Sequence, residues 1–208
     1  MRSIDSLEHD LERVVEMLSG AWITQNNEMD KKTNFIYQMG SLDACLKEIE
    51  RTGTDQNYAL HRWYNAKTSI ACEYIFCEFG AVHDRDPYNH DTDIYINKVP
   101  FDVKLTVYPQ KLKDRRFDLH TRAGKDEMIR WFYENQSQGN RKQLLNRLYV
   151  VCDGKSNREN LRMKSNFPLM RERIGEFMKD ASVHGVQNIT MDIDGKHLVL
   201  KSDIILLD

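Results

Sequence analysis

Apolar residues recur at helical spacing in two early segments of the chain. Across residues 4–19, Leu7, Leu11, Val14, Val15 and Leu18 share one face, and across 33–51 Phe35, Met39, Leu42, Leu46 and Ile49 do the same. The polar residues 24–32 separate them, so the pattern predicts an N-terminal helical hairpin. A third helix is expected from the stripe Trp63, Ala66, Ile70, Tyr74 and Cys77, ended by Gly80, the residue type best suited to a helix C-terminus. Residues 84–90, with Pro87 and Asn89, form a turn-rich connection and a candidate substrate loop. Further on, residues 124–134 read as a helix with Met128, Ile129 and Phe132 inward, and Arg147–Cys152 as a buried strand. Asp153-Gly154 ends that strand, and residues 157–179 are mostly helical with an interruption at Pro168. Residues 188–192 and 197–206, joined at Asp194-Gly195, predict a closing β-hairpin.

Residues 91–107 follow a period of two. With Asn97-Lys98 as a two-residue turn, Ile94 opposes Phe101, Ile96 opposes Val99, and Asp93 directly opposes Asp102. Phe101, Val103, Leu105 and Val107 then point to one side of the second strand, and Asp102, Lys104 and Thr106 to the other. Like charges facing each other across a hairpin are unfavourable, so the pair calls for a compensating charge. A divalent metal ion is the obvious one. Hard oxygen ligands select Mg²⁺, with Mn²⁺ able to substitute, and such an ion makes a bound water more acidic while a nearby ammonium orients it. Two aspartates and Lys104 thus make a plausible site for hydrolysing a phosphodiester. Asp91 has the parity to face the same site opposite Lys104, and so stands as an alternative to Asp93 or as a partner for the lysine. The plain alternative is a solvated hairpin face whose charges are incidental.

Asp93 followed by Asp102-Val103-Lys104 resembles the pattern of the PD-(D/E)xK, or restriction endonuclease-like, nuclease superfamily. Thr92 stands where that family usually has proline. Residues 71–80 (ACEYIFCEFG) are similar to the family helix that carries a further acid; Glu73 is the better match. Glu78 is the other candidate, at a helix end where the dipole disfavours a negative charge. The order helix, short strand, hairpin, helix, strand is the family's common core, and the resemblance covers about residues 57–153. It implies an α/β fold: a restriction endonuclease-like core with a central mixed β-sheet flanked by helices, preceded by the helical hairpin. The domains would be an acidic helical hairpin (1–56), a nuclease-like catalytic core (57–153) and a C-terminal helical segment and β-hairpin completing the same domain (154–208). It also implies a Mg²⁺-dependent endonuclease acting on DNA. Asp93, Asp102 and Glu73 would bind the metal, with help from the Val103 carbonyl, and Lys104 would position the attacking water. The alternative function is a catalytically inactive nuclease-like module that binds nucleic acid or protein; the retained lysine argues against it.

Length and composition fit this picture. The chain has 208 residues, 40% hydrophobic and 30% charged, as expected of a globular protein with one substantial core. No apolar run approaches the length of a membrane span, and residues 1–10 lack the apolar centre of a signal peptide, so no membrane partner and a cytoplasmic location are expected. Cys45, Cys72, Cys77 and Cys152 are scattered and read as reduced core thiols. The net charge of −2 is unusual for a nucleic-acid binder, but it is unevenly spread. Residues 1–60 hold six Lys/Arg against eleven Asp/Glu, leaving 24 against 21 for the remainder. Lys104, Lys111, Lys113, Arg115 and Arg116 form one basic cluster, and Lys155, Arg158, Arg162, Lys164, Arg171 and Arg173 a second; both are candidates for phosphate contacts. The acidic hairpin would cap the core or form a homodimer, as enzymes cutting both strands often do.

Two His-Asp pairs, His83-Asp84 and His90-Asp91, invite comparison with metal-dependent HD phosphohydrolases, but that class carries them on helices and here both flank Pro87. A contact between either histidine and substrate remains open. Nucleophile-elbow, Walker-type, dinucleotide-binding and zincin motifs are absent. If the two aspartates are held together only for function, Asp102→Ala should leave the metal-free protein as stable as before or more so.

Overall fold

The computed structural model of the protein describes residues 4–18, 26–86, 89, 91–112, 114–135, 145–193 and 195–208. Expectations placed on Pro87, His90, Lys113 and Asp194 lie outside them. The fold is α/β. In chain order the elements are α1 (Ile4–Met17), α2 (Asn27–Lys32), α3 (Leu42–Thr52), α4 (Gln56–Glu78), β1 (Val82–His83), β2 (Ile94–Ile96), β3 (Val99–Val107), α5 (Arg122–Asn135), β4 (Arg147–Cys152), α6 (Asn157–Lys164), α7 (Phe167–His184), β5 (Asn188–Ile193) and β6 (Lys196–Leu207). Two compact units result: Met1–Ala71 with Gly154–Phe167, and Cys72–Asp153 with Pro168–Asp208.

In the first unit, α1 buries Leu11, Val14 and Val15, and α3 buries Leu42, Cys45 and Ile49. The second helix of the expected hairpin starts at Leu42, well after residue 33. Ser41 Oγ accepts from the Ala44 N–H and Asp10 Oδ2 from the Leu42 N–H, which together cap its start. Residues 27–38 instead form α2 and a 3₁₀ turn, Asn34–Gln38, that buries Ile36 while Phe35 is only partly covered. The Asn26 side chain caps α2, and the Arg62 guanidinium donates to the Asp30 carbonyl and the Thr33 hydroxyl, each at 2.6 Å. Caps and this arginine, not apolar spacing, decide where these helices begin.

Helix α4 crosses from one unit to the other between Ala71 and Cys72. The stripe expected on it is the wrong face. Trp63 is buried, but Ile70 is 39% exposed, and Ala66, Tyr74 and Cys77 are only partly covered. Tyr64, Thr68, Ala71, Cys72, Ile75 and Phe76 are buried instead. Apolar residues lie round most of this helix, so spacing alone offers several competing faces.

The second unit holds a six-stranded mixed sheet in the order β1-β2-β3-β4-β6-β5. Strands β1, β2 and β3 are antiparallel neighbours, β4 runs parallel to β3, β6 parallel to β4, and β5 antiparallel to β6. The β2–β3 hairpin has the expected register, Ile94 opposite Phe101 and Ile96 opposite Val99. Its turn residues Asn97 and Lys98 have φ of 50° and 67°, the two positive values of a type I′ turn. Helix α5 supplies the crossover that parallel β3 and β4 require. It buries Met128, Ile129 and Phe132 in one apolar cluster with Tyr149, Val151 and Ile204, and the Phe132 and Tyr149 rings stack at 4.5 Å. All six residues of β4 are buried, as an inner strand covered on both faces demands.

The helical segment is interrupted as expected, at residues 165–166, and Pro168 stands just past the break. It is the second residue of α7, in the first turn, where the missing N–H has no partner to lose. The closing hairpin forms as expected and makes one edge of the sheet: β6 pairs with β5 along residues 196–201 and with β4 along 202–207. All four cysteines are free thiols, three of them buried. Among the described residues no helix is long and apolar enough to cross a membrane.

Because Lys98 sits at positive φ, Lys98→Gly should raise stability by about 0.5–1 kcal/mol. An increased urea midpoint with unchanged slope is the expected reading, and a lowered midpoint would contradict the turn.

Candidate functional site

All four residues expected at the site belong to the second unit. Its geometry starts where the β2–β3 ladder stops. The ladder ends at Ile94 opposite Phe101, and the Asp93 N–H donates to the Phe101 carbonyl at 2.9 Å. Asp93 therefore lies just outside the ladder, not in regular register across from Asp102. The reason is local: the Asp93 Oδ2 accepts the Val103 N–H at 2.7 Å, a donor that a longer β2 would have satisfied with main-chain carbonyl. Asp93 caps the strand with its side chain, and this fixes the carboxylate.

Asp102 is buried, 2% exposed. Its Oδ1 accepts from Lys104 Nζ at 2.5 Å, and its Oδ2 stands 2.6 Å from Arg147 Nε, close enough for an ion pair but out of hydrogen-bond alignment. Arg147 opens β4 directly beside Asp102 in the parallel register, and its guanidinium lies over the Tyr133 ring. The compensating charge assigned from sequence to a metal ion is thus supplied at Asp102 by two cations of the chain. Sequence reasoning placed the strand but missed this role of Arg147. The available signal was an arginine opening an otherwise apolar buried strand, since a buried guanidinium demands a carboxylate. Lys104 differs from Arg147 in being 44% exposed along its side chain, so its ammonium is open to solvent.

Glu73 lies in the last turns of α4, with its side chain 13% exposed. His83 Nε2 shares a 2.9 Å hydrogen bond with its Oε2. Burial first, and then the negative charge of Asp93, push the Glu73 carboxyl up to about 7, against the opposing pull of His83 and Lys104. Asp93 is raised as well, by burial first and then by Asp102, although the Val103 N–H and Lys104 pull the other way. Asp93 and Lys104 act on Glu73, and Asp102 and Lys104 on Asp93, so the four side chains lie in one electrostatic neighbourhood.

The alternatives fall elsewhere. Glu78 ends α4 in a two-pronged ion pair with Arg171, at 2.8 and 3.1 Å. Asp91 is exposed. His83 lies on the two-residue strand β1, not in a loop, and it does not form a dyad with Asp84. The Asp84 carboxylate accepts instead from the Asp86 N–H, the Asn89 amide and the Tyr95 hydroxyl, which organises the connection. A cavity of about 740 Å³ opens here, lined by Tyr74, His83, Asp84, Arg85 and Asp93 among others.

Of the basic clusters, Lys111, Arg115 and Arg116 are exposed, with Arg116 paired to Asp153. The second cluster is largely engaged. Arg158 and Arg162 grip Glu16, Lys164 is buried against Asn65, Arg171 holds Glu78 and Arg173 holds Asp208. Among the described residues no group of three or more His, Cys, Asp or Glu side chains is arranged to hold a metal ion. The donor chemistry nonetheless suits a hard cation, since Glu73 and Asp93 are half-buried carboxylates raised by burial and by a neighbouring negative charge.

Two measurements follow. Removing Asp102 strands a buried guanidinium, so Asp102→Ala should destabilise the metal-free protein by about 3–5 kcal/mol, opposite to the expectation from sequence. A melting temperature at or above that of wild type would refute the ion pair. Glu73 behaves in the reverse sense. Its folded value near 7 exceeds the ordinary 4.5, so between these pH values the unfolded chain has released a proton that the folded one keeps, and stability falls as pH rises. Glu73→Gln should therefore be more stable than wild type above pH 7, by on the order of 2 kcal/mol, and no more stable near pH 4. Denaturant titrations at the two pH values check this.

The chain matches no protein-family model, no curated protein and no solved structure.

Proposed function

We propose that the protein is a Mg²⁺-dependent endonuclease of the PD-(D/E)xK type that hydrolyses phosphodiester bonds in DNA. One observation carries the reading: Glu73, Asp93, Asp102 and Lys104 gather in one neighbourhood, where Lys104 bonds Asp102 and Asp93 lines an open cavity. The order α4, β1, β2–β3 hairpin, α5, β4, with β4 parallel to β3, is in keeping with the resemblance noted in the sequence. Exposed Lys111 and Arg115 lie in the same unit as this centre and suit contacts to a phosphate backbone.

Glu73, Asp93 and Asp102 would hold the ion. When bound, Mg²⁺ or Mn²⁺ polarises a phosphate and makes a coordinated water more acidic. The chain's own part is positional and electrostatic. The Val103 N–H fixes the Asp93 carboxylate, Arg147 holds Asp102 in place, and the solvent-open ammonium of Lys104 orients the attacking water and stabilises negative charge as it develops. A second reading, a nuclease-like scaffold that binds without cutting, is favoured by one fact: both Asp102 oxygens already have cationic partners within the chain.

Incubation with supercoiled plasmid, linear duplex and single-stranded DNA, with and without Mg²⁺ or Mn²⁺, separates the two. Metal-dependent cleavage is expected from wild type, reduced about 100-fold or more in Lys104→Ala and in Asp93→Asn. On the same gel nicking marks a single acting site, and linearisation marks a homodimer cutting both strands. Binding without cleavage under every condition would favour the scaffold.

A further inference from the structure

His83 is held by three contacts that meet at one ring. Its Nδ1 lies 2.6 Å from the Asp84 carbonyl oxygen. A carbonyl can only accept, so Nδ1 carries a proton and donates it, and the ring cannot turn over without losing that bond. Its face stacks on Tyr74, with centroids 4.7 Å apart and the planes within 10°. Tyr74 is the residue next to Glu73, so the stack registers the imidazole against the helix turn that carries the acid. The remaining nitrogen, Nε2, meets Glu73 Oε2 at 2.9 Å. From below, β1 ties the histidine to the hairpin through its pairing of His83 with Ile94, the neighbour of Asp93. The ring thus bonds the acid on the helix, while its own main chain is tied to the strand beside the acid of the hairpin.

We propose that His83 is a positioning residue that fixes the Glu73 carboxylate toward Asp93 for cation binding, an inference that rests on the metal-dependent reading above. Glu73 has a flexible side chain of three rotatable bonds, and holding it against the repulsion of Asp93 requires an anchor. Outer partners that orient a ligating side chain commonly change metal affinity by about 10–100-fold when removed. The Asp84 network explains why the anchor is firm: its carboxylate accepts from Asp86 and Asn89, which hold the carbonyl that pins Nδ1.

The test uses two amides of different reach in the intact chain. The amide of His83→Gln falls near the place of Nε2 and can keep a hydrogen bond to Glu73, as donor or as acceptor. That of His83→Asn reaches only the place of Nδ1. The Mg²⁺ concentration for half-maximal cleavage should rise about 10–100-fold in His83→Asn, with the rate at saturating Mg²⁺ much less affected, and His83→Gln should recover most of that loss. Without DNA, the rise in melting temperature caused by Mg²⁺ should be lost from His83→Asn at a concentration that still stabilises wild type and His83→Gln. If both variants match wild type in Mg²⁺ dependence, or both fail equally, His83 does not act through Glu73. If wild type itself is neither cut-competent nor stabilised by Mg²⁺, the metal-dependent reading falls and this inference with it.

Discussion

The ion pair between Asp102 and Arg147 is the constraint around which the second unit is arranged. Both groups are nearly removed from solvent, and they sit side by side on parallel strands whose register is thereby fixed. A slip of one residue would turn either charge to the opposite face and leave it buried without a partner, a cost of several kcal/mol. The aromatic cluster around Phe132, Tyr133 and Tyr149 closes over the same strands and excludes the water that would otherwise solvate the pair. Apolar packing and charge pairing therefore select the same register.

That register in turn determines where the remaining acids stand. With Asp102 drawn toward β4, β3 still has the Val103 N–H facing β2, and β2 has already ended. Asp93 satisfies this donor with its side chain, which carries its carboxylate in beside Asp102. Glu73 and His83 then complete the group from the helix and the first strand. A hairpin that stops early thus produces an acidic centre while the Val103 N–H stays satisfied.

Legibility in the sequence followed the range of the interactions. The β2–β3 hairpin could be read because its signal is local: an alternating pattern across a turn that tolerates positive φ. The inward residues of α5 and the full burial of β4 were equally local. The buried face of α4 was not legible, since apolar residues surround the helix and its partners are distant in sequence. Neither was the start of α3, set by Ser41 and Asp10 rather than by apolar spacing. For the site, the residue types could be found from pattern and resemblance, but their pairing could not. Asp102 and Arg147 are separated by the whole of α5, and nothing in the spacing says that β4 lies beside β3 in that register. This is why a structural aspartate looked from sequence like one held against repulsion.

Charge is distributed unevenly across this centre in a way that bears on its use. Around the three carboxylates stand two cations, Lys104 and Arg147, and the His83 imidazole. Lys104 and Arg147 both pair with Asp102, while the imidazole meets Glu73, and the carboxyls of Glu73 and Asp93 are both raised, by burial first and then by a neighbouring negative charge. Stability by itself would favour moving a cation across or replacing Glu73 with a neutral amide of the same shape. A half-buried pair of acids that repel each other beside an open cavity is an arrangement that lowers the stability of the metal-free fold, and such sites are characteristic of function rather than of architecture. Asp102 serves the fold as well as any ligand; Glu73 and Asp93 are the acids that only a ligand would need.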